Sequence, residues 1–493
     1  MNRRRHPLLY ATPPFLKVLG TLLSLTASAM VLPVVCAALY EEADLWPLAG
    51  TALGLGAVGG PLMWVFRGDR ELGPRGAFLL ATLGWAFISA VSTIPFMIHG
   101  SIPSFADAFF EMISGCTTTG ATILTDIEAL PHGLLLWRSV THLLGGMGFI
   151  TLAVILLPNA LSGLRLFRAE SSPGQVITRE RFTPRTRDAV VYLWWIYLGL
   201  NAIQIVLLLL GGMSLFDSLC HTFGTVATAG FSPYNASMGH YDNAYFDWVT
   251  IIFMFLGGCT FVLFFYLLKG NWRLVAKNTE LRWYFGIVLA FCGAVSAILW
   301  LDGRYGLADA IRHGTFQVVS LLTTTGFTTT DYELWPHSAQ MFLYVVCFVG
   351  ACAGSTTSGI KIVHYVVIYK FMVAAVKKIF FQPLAVVSVR LNGERVDQMV
   401  VNLAFCFFVV NVFMVLMGAC VMSMLEGMDM QSSMSTVISS LMNIGPGFGD
   451  VGPSHTYAGI SAAGKYFLSF NMLVGRLELF SALVLFYPSF WRR

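Results

Sequence analysis

A short Thr/Gly phrase that returns four times between long apolar segments is the strongest constraint on how this chain can fold. The clearest copies are "GCTTTGATILTD" at 115–126 and "LLTTTGFTTTD" at 321–331, and looser copies are "TVATAGFS" at 225–232 and "NIGPGFGD" at 443–450. Each copy follows a segment of about ten to fifteen residues, whereas a helix needs about 20 apolar residues to span a bilayer. Because the same elements recur in the same order, we interpret the chain as four repeats of one unit.

Each repeat is predicted to contain a long apolar helix, a half-helix that enters the membrane and returns, the Thr/Gly loop, and a second long helix with a patch of small residues. The first helices are expected at 76–99, 187–211, 283–301 and 396–425, and the half-helices at 104–115, 214–225, 308–322 and 430–442. The small-residue patches are "LLGGMG" (143–148), "FLGGC" (255–259), "FVGACAG" (348–354) and "LVGR" (473–476). Two spans before the first repeat and two in each repeat make ten predicted crossings, with four half-helices.

The predicted fold is an all-α polytopic membrane protein with four pseudo-symmetric repeats around a central pore. We expect a two-helix N-terminal extension at 1–72, repeat 1 at 73–160, repeat 2 with a preceding cytoplasmic loop at 161–270, repeat 3 with an intramembrane loop at 271–376, and repeat 4 with a preceding cytoplasmic loop at 377–493.

Composition and charge distribution support a membrane location. Charged residues make up only 11% of the chain, whereas a soluble protein has roughly a quarter. Basic residues cluster in loops such as Arg165–Arg187 and Lys361–Arg395, while 100–131, 213–247 and 426–455 contain no Lys or Arg. The positive-inside rule therefore places the basic loops and both termini in the cytoplasm and the Thr/Gly phrases toward the outside. The nine scattered cysteines are expected to be small core residues rather than disulfides or metal ligands.

The Thr/Gly loops have a chemical use that explains their repetition. Non-helical backbone is costly at membrane depth unless it is buried in protein or lines a water-filled path. Four such loops around one axis would present carbonyl oxygens that replace the hydration shell of a cation, and the half-helices would point the negative ends of their dipoles at it. Glycine allows backbone angles closed to other residues. The pattern favours a K⁺-selective filter, although a single copy would more often be an ordinary external turn.

Several phrases together resemble one known family. They are "SGCTTTGAT", "GGMGF", "ATAGFS", "FQVVSLLTTTGFTT", "GACAGSTTSGIK" and "MNIGPGFG". The chain resembles the Trk/Ktr/HKT superfamily of cation transporters, specifically the bacterial TrkH/TrkG-type membrane subunit, over nearly its whole length. The resemblance implies potassium ion as the transported species, a bacterial inner membrane location, a homodimer, contact with membrane lipid, and a cytoplasmic nucleotide-binding TrkA-type regulatory subunit. It implies no nucleic-acid partner.

The resemblance also assigns roles at the loops. The filter glycine of each repeat would be Gly120, Gly230, Gly326 and Gly447, and glycine at all four positions favours K⁺. The neighbouring carbonyl donors would be Thr118, Thr119, Ala227, Thr228, Thr324, Thr325, Gly445 and Pro446.

The resemblance implies a gate below this filter. The matching stretch is "AGSTTSGIK" at 353–361, with Gly354, Thr356, Thr357, Ser358, Gly359 and Lys361 as gate residues. Thr357 and Ser358 stand where related chains have glycine, so this loop is expected to be stiffer. Arg476, in the middle of the last span, is expected to act as an electrostatic barrier in the pore, with an ion pair to Glu478 as the alternative.

Other polar residues in the membrane segments allow two interpretations each. His142 and His221 would be either proton-relay groups or, more often in such positions, packed polar residues. Asp107 and Glu111 would either attract cations at the outer mouth or stabilise a half-helix dipole. Lys465 is expected to snorkel to the membrane interface.

The alternatives to potassium uptake driven by the membrane potential are a secondary symporter and a membrane-embedded enzyme. A secondary symporter coupling K⁺ to H⁺ or Na⁺ would use the same fold but needs a titratable or second-ion site at mid-membrane. A membrane-embedded enzyme would need a convergent nucleophile, base or metal cluster. The sequence contains no such cluster and no nucleotide-binding motif in a soluble context, so an enzyme is not expected.

Overall fold

The computed structural model describes residues 7–66, 74–148, 186–380 and 389–491. Regular structure in these ranges is helical except for one hairpin, in which β1 (Arg390–Leu391) pairs antiparallel with β2 (Glu394–Arg395), and an isolated bridge between Val349 and Ile360. The prediction of an all-α fold is confirmed. The basic segment Arg165–Arg187 and the predicted boundaries at 72/73 and 160/161 lie outside the described residues or at their edge.

Three helices precede the first repeat: α1 (Pro7–Ala29), α2 (Val31–Tyr40) and α3 (Leu45–Val65). The helices α1 and α3 cross closely because Gly20 and Gly59 face each other. A Cβ atom on Gly20 would lie 2.9 Å from the carbonyl oxygen of Gly59, and one on Gly59 would lie 2.8 Å from that of Gly20. Small residues at such crossings let the backbones of membrane helices approach.

The four repeats contain the remaining α-helices of the described residues. Repeat 1 has α4 (Pro74–Ser92), α5 (Ile94–His99), α6 (Phe105–Cys116) and α7 (His132–Gly146); repeat 2 has α8 (Thr186–Leu210), α9 (Leu215–Val226), α10 (Ala244–Gly257), α11 (Phe261–Leu268) and α12 (Trp272–Lys277). Repeat 3 has α13 (Thr279–Leu301), α14 (Leu307–Leu322), α15 (His337–Val346) and α16 (Ile362–Phe380); repeat 4 has α17 (Gln398–Glu426), α18 (Met430–Met442), α19 (Ala462–Arg476), α20 (Phe480–Leu483) and α21 (Pro488–Trp491). The predicted boundary at 376/377 falls inside α16, whereas that at 270/271 falls just after α11.

The four half-helices are α6, α9, α14 and α18, and each begins and ends within one residue of its predicted bounds. The second helices differ from the prediction because each stops at its small-residue patch. The helices α10 and α11 meet at 96°, and α19 meets the segment Phe480–Phe486 at 113°. The helix α15 ends at Val346, and the chain resumes helical structure only at Ile362.

The described part of the chain has six helices long and apolar enough to cross a membrane, or eight if each bent pair is counted as one span. Their large apolar side chains are widely exposed, for example Trp46 at 80%, Leu210 at 77% and Leu301 at 76% of their surface. Contiguous apolar exposure on this scale is unfavourable in water and is typical of a lipid-facing surface. Seven of the nine cysteines are buried as predicted, whereas Cys406 and Cys420 on α17 are exposed; all nine are free thiols.

The half-helices pack in a cyclic order. The half-helix α6 lies between α7 of its own repeat and α19 of repeat 4, α9 lies between α10 and α7, and α14 lies between α15 and α10. Each of these half-helices therefore contacts the second helix of its own repeat and that of the preceding one. This order brings the four Thr/Gly loops to one place in the interior.

A buried ion pair fixes the loop of repeat 1 to its helices. Arg138 on α7 is 1% exposed and donates to the carboxylate of Glu111 on α6, which is fully buried. The carboxylate also accepts hydrogen bonds from the Thr122 hydroxyl and the Ile123 amide. Arg138 donates further to the Ser232 carbonyl and lies 4.0 Å from the centre of the Phe231 ring. The pair thus connects the Thr/Gly phrases of repeats 1 and 2.

Replacing Arg138 with leucine is expected to destabilise the protein by about 3–5 kcal/mol, because Glu111 would be left buried without its counter-charge. The matched control is Arg304→Leu, which removes the exposed Arg304–Asp302 pair and should cost less than about 1 kcal/mol. Thermal unfolding in detergent, followed by tryptophan fluorescence, compares the two. Equal melting temperatures for both variants would contradict the structural role of the buried pair.

Candidate ion filter

Four glycines and four carbonyl groups form a closed cycle where the Thr/Gly loops meet. At each glycine, the position that a Cβ atom would occupy is taken by a carbonyl oxygen of the next repeat. The pairs are Gly120 with Ala229, Gly230 with Thr325, Gly326 with Ile444, and Gly445 with Thr119. A side chain at any of these glycines would overlap that oxygen. We refer to Gly120, Gly230, Gly326 and Gly445 as the ring glycines and to the carbonyls of Thr119, Ala229, Thr325 and Ile444 as the ring carbonyls.

The backbone conformation at the ring is the same in each repeat. The ring glycines have φ of +80°, +86°, +80° and +99°, a region that L-residues with side chains rarely adopt. The residue two positions earlier is also left-handed, with φ of +55° at Thr118, +53° at Thr228, +54° at Thr324 and +55° at Asn443. This conformation ends each half-helix and directs the chain into its loop.

The half-helix ends are closed by one recurring hydrogen bond. The amide of each ring-carbonyl residue donates to the carbonyl five residues earlier: Thr119 to Ser114, Ala229 to Gly224, Thr325 to Ser320, and Ile444 to Ser439, at 2.8 to 2.9 Å. This six-to-one bond is that of a Schellman cap. The N-terminal amides of α6, α9 and α18 are capped by Ser104, Ser214 and Asp429. The Schellman bond therefore fixes the C-terminal end of each half-helix, which is the end near the ring.

The structure corrects the register of two loops. Gly445, rather than Gly447, occupies the ring position of repeat 4, because it has the positive φ and contacts the Thr119 carbonyl. Gly447 instead packs against Ser435 and Val451 and does not have positive φ. In repeat 2 the ring carbonyl belongs to Ala229, one residue after the predicted Ala227 and Thr228 pair. The phrase "NIGPGFGD" has two glycines before its phenylalanine, Gly445 and Gly447. The prediction took the second glycine as the filter position, two residues after the ring glycine.

The ring opens on one side into a small cavity of about 80 Å³. All four ring glycines line it, together with Ala121, Arg138, Asn235, Pro446, His455 and Tyr457. The predicted topology places this cavity toward the outside, and we call this side of the ring the outer side.

Hydroxyl groups hold the ring from behind. The Thr117 and Thr323 hydroxyls donate to carbonyls one turn earlier, at Ile113 and Val319, and lie 2.9 Å and 2.8 Å from the hydroxyls of Thr119 and Thr325. In repeat 4 the side-chain amide of Asn443 donates to the Thr119 hydroxyl at 2.8 Å and to the Met472 carbonyl at 2.9 Å. The threonine side chains are thus occupied in packing the loops, which leaves the backbone to face the centre.

Small residues on the second helices permit this packing. A Cβ on Gly145 would overlap the carbonyl oxygen of Cys116 at the end of α6, and a Cβ on Gly475 would overlap that of Leu441 near the end of α18. The repeated small-residue patches therefore allow a second helix to touch the end of its half-helix.

The segment 347–361 of repeat 3 crosses the other side of the ring, which we call the inner side. The Thr356 hydroxyl donates to the carbonyls of Val226 and Gly257 in repeat 2, at 2.9 and 3.1 Å. The Ser358 amide donates to the Thr324 hydroxyl at 3.1 Å. The base of the segment is held by the Ala353 amide, which donates to the Glu280 carboxylate at 2.7 Å. This segment, the gate loop, therefore touches repeats 2 and 3 directly below the ring.

Arg476 completes the inner side. It is the last residue of α19, and its guanidinium donates to the Thr118 hydroxyl at 3.0 Å, the Thr356 carbonyl at 2.9 Å and the Ser358 hydroxyl at 3.4 Å. It also donates to the carbonyls of Gly145 and Gly146, at 2.5 and 2.9 Å, where α7 ends. One cation of repeat 4 thus joins the loop of repeat 1 to the gate loop of repeat 3.

Comparison with known proteins identifies the family. A model of the TrkH family, described as cation transport protein, matches residues 56–286 and 300–493. The Trk system potassium uptake protein TrkH of Salmonella typhimurium is 35% identical over 483 residues, covering 97% of this chain and 98% of that protein. The chain belongs to the TrkH family.

Other members agree with this result. The Trk system potassium uptake protein TrkG of Escherichia coli K12 is 31% identical over 477 residues, covering 96% of this chain and 97% of that protein. The crystal structure of the potassium transporter TrkH from Vibrio parahaemolyticus matches with a TM-score of 0.86 at 32% identity, covering 97% of this chain and 99% of that one. As a TrkH-family member, the protein is a multi-pass membrane transporter and not an enzyme.

Two predictions about polar residues of this TrkH-family protein need correction, and a third is decided between its alternatives. Lys465 does not snorkel: it is 5% exposed and pairs with Asp107 at 2.6 Å. Glu111 lies buried in its pair with Arg138 rather than at a mouth where it would meet cations. His142 and His221 are fully buried and pack against the rings of Phe231 and Phe327, which agrees with the interpretation of packed polar residues.

Some residues around the ring were not found from the sequence. Arg138, Tyr457 and Asn443 each contact loops of more than one repeat. Arg138 gave the clearest signal, since it is an arginine within a largely apolar segment. Tyr457 and Asn443 gave none, because their contacts with repeat 1 cross more than 300 residues of sequence.

Restoring glycine in the gate loop is expected to loosen it. The Thr357 hydroxyl and carbonyl accept from the Lys361 ammonium, and the Ser358 hydroxyl accepts from Arg476. The double variant Thr357→Gly, Ser358→Gly removes both side-chain contacts and adds backbone entropy, together about 2 kcal/mol. Amide hydrogen exchange at 353–361 should accelerate more than about tenfold, with the hairpin 389–397 as the unchanged internal control. Unaltered exchange at 353–361 would contradict the proposed stiffness of this loop.

Proposed function

We propose that this TrkH-family protein takes up potassium ions across a bacterial inner membrane, and that the ring is its selectivity filter. The observation that carries the proposal is the closed cycle in which each ring glycine meets a ring carbonyl of the next repeat. The printed names of the relatives, which are potassium uptake proteins, support K⁺ as the ion. The fourfold recurrence of one backbone conformation supports a site built for a single spherical ligand.

The chemistry of the ring suits a dehydrated monovalent cation. Carbonyl oxygens from four loops replace part of the ion's water shell, and the C-terminal ends of four half-helices add negative potential without placing a full charge in the path. A carboxylate in the path would bind more tightly and release more slowly. The inside-negative membrane potential then drives entry by about 2.3 kcal/mol per charge per 100 mV.

The inner side of the ring has the features of a closed gate. The gate loop and Arg476 lie directly beneath the ring and hydrogen-bond to one another. Ion passage requires that the gate loop move away, together with the arginine it holds.

Membership of the TrkH family is also the basis for the partners that we propose. We place both termini in the cytoplasm, consistent with the basic loops, and propose a homodimer whose opening is controlled by a TrkA-type nucleotide-binding subunit. The buried histidines provide no hydrogen-bonded relay in the described part of the chain. For this reason we favour uptake driven by the membrane potential over coupling to protons.

Substitution of a ring glycine tests the filter. Gly326→Ser introduces a side chain that overlaps the Ile444 carbonyl and is expected to lower the K⁺ over Na⁺ flux ratio in proteoliposomes at least about tenfold, equivalent to about 1.4 kcal/mol. The control is Gly303→Ser, which has a similar φ of +79° but open space around it. If Gly326→Ser keeps the parent flux ratio, the ring is not the filter.

Removal of the Arg476 charge tests the barrier. A cation held about 10 Å from this charge is repelled by roughly 1.7 kcal/mol at an effective dielectric constant of about 20. Arg476→Gln should therefore raise K⁺ flux through protein reconstituted without its regulatory subunit by more than about tenfold. Arg304→Gln, an exposed arginine outside the ring, serves as the control. Unchanged flux in Arg476→Gln would remove the barrier role.

A further inference from the structure

The carbonyl groups of the ring glycines themselves are not equivalent. In the described part of the chain, no hydrogen-bond donor contacts the carbonyl oxygens of Gly120, Gly230 or Gly326. The carbonyl oxygen of Gly445 accepts two hydrogen bonds, from the Ser439 hydroxyl at 2.5 Å and from the Tyr457 hydroxyl at 2.9 Å. Repeat 4 therefore differs from the other three at this level of the ring.

Both donors belong to repeat 4 and are buried beside the Gly445 loop. Ser439 lies on the half-helix α18 and is 1% exposed; Tyr457 is 2% exposed. Their hydroxyl oxygens lie 3.0 Å from each other, and because Tyr457 has one hydroxyl hydrogen, its bond to the Gly445 carbonyl is made in place of one to Ser439. Tyr457 is fixed in turn, because its amide donates to the Thr122 carbonyl of repeat 1 at 2.9 Å and its ring packs on Phe110.

The equivalent serine of repeat 3 shows that this arrangement is specific to repeat 4. Ser320 lies six residues before Gly326, as Ser439 lies six before Gly445. Its hydroxyl donates instead to the Phe327 carbonyl, one residue beyond the ring glycine, at 2.6 Å. The Gly326 carbonyl is thereby left without a donor, whereas the Gly445 carbonyl has two.

A carbonyl oxygen has two lone pairs, and both are engaged when Ser439 and Tyr457 donate to Gly445. Such an oxygen is a weaker ligand for a dehydrated cation than a carbonyl oxygen with no donor. We propose that Tyr457 and Ser439 are positioning residues that withhold the Gly445 carbonyl from the ion, so that the layer of ring-glycine carbonyls offers three ligands rather than four. The inference rests on the proposed function of the ring as a filter.

The number of carbonyl ligands sets how strongly a filter distinguishes K⁺ from the smaller Na⁺. With one carbonyl withheld, this layer binds K⁺ less selectively and releases it more readily. Freeing the Gly445 carbonyl would supply the fourth ligand and increase discrimination, while the slower release would decrease the maximal flux.

The test compares three variants in proteoliposomes with K⁺ and Na⁺ flux as readouts. The double variant Tyr457→Phe, Ser439→Ala keeps the aromatic packing and removes both donors, and we expect its K⁺ over Na⁺ flux ratio to rise about threefold or more. Tyr457→Phe alone leaves one donor and should show a smaller rise. The matched control is Tyr332→Phe, which removes an equally buried hydroxyl donating to the Gly447 carbonyl, outside the ring, at 2.7 Å.

The outcomes separate the inference from the function on which it rests. A raised ratio in the double variant with a parental ratio in Tyr332→Phe supports the inference. An unchanged or lowered ratio in the double variant overturns it, provided that Gly326→Ser still lowers the K⁺ over Na⁺ flux ratio. If Gly326→Ser also leaves the ratio unchanged, the filter itself is wrong. Melting temperatures of Tyr457→Phe and Tyr332→Phe should fall equally, which excludes general loss of stability as the cause.

Discussion

The contact between a glycine and a carbonyl oxygen of the next repeat determines the rest of this structure. Such an approach is possible only without a Cβ atom, and it occurs four times in one closed cycle. Three features bring the loops close enough for this contact. They are the left-handed residue two positions before each ring glycine, the Schellman bond at the end of each half-helix, and the glycines of the second helices. Four chain segments that are far apart in sequence thereby act as one site.

The surroundings of the ring are much less symmetric than the ring. Repeat 1 is held by the buried Glu111–Arg138 pair, and repeat 4 by hydroxyls on Gly445. Among the described residues, an irregular segment crosses the inner side only in repeat 3, and only repeat 4 supplies an arginine there. Because the four repeats belong to one chain, each repeat can differ in sequence from the others. Selectivity, closure and rigidity can therefore come from different repeats.

The sequence was sufficient for the architecture but not for the register of the site. Hydropathy, charge and the recurring phrase located all four half-helices to within one residue, because these signals are local. The ring position of repeat 4 was missed because Asn443 replaces a threonine and Pro446 follows the true ring glycine, so a match on letters favoured Gly447. The pairing of Lys465 with Asp107 joins residues of repeats 4 and 1, a contact that no local pattern encodes.

The most direct test of the account is where a permeant ion binds. Crystals grown in Rb⁺ and measured at its absorption edge would show the ion by anomalous scattering. The account predicts a peak on the axis between the carbonyl oxygens of Thr119, Ala229, Thr325 and Ile444. A protein that transports Rb⁺ yet shows its peak only elsewhere, with none at these four oxygens, would contradict the claim that the ring is the filter.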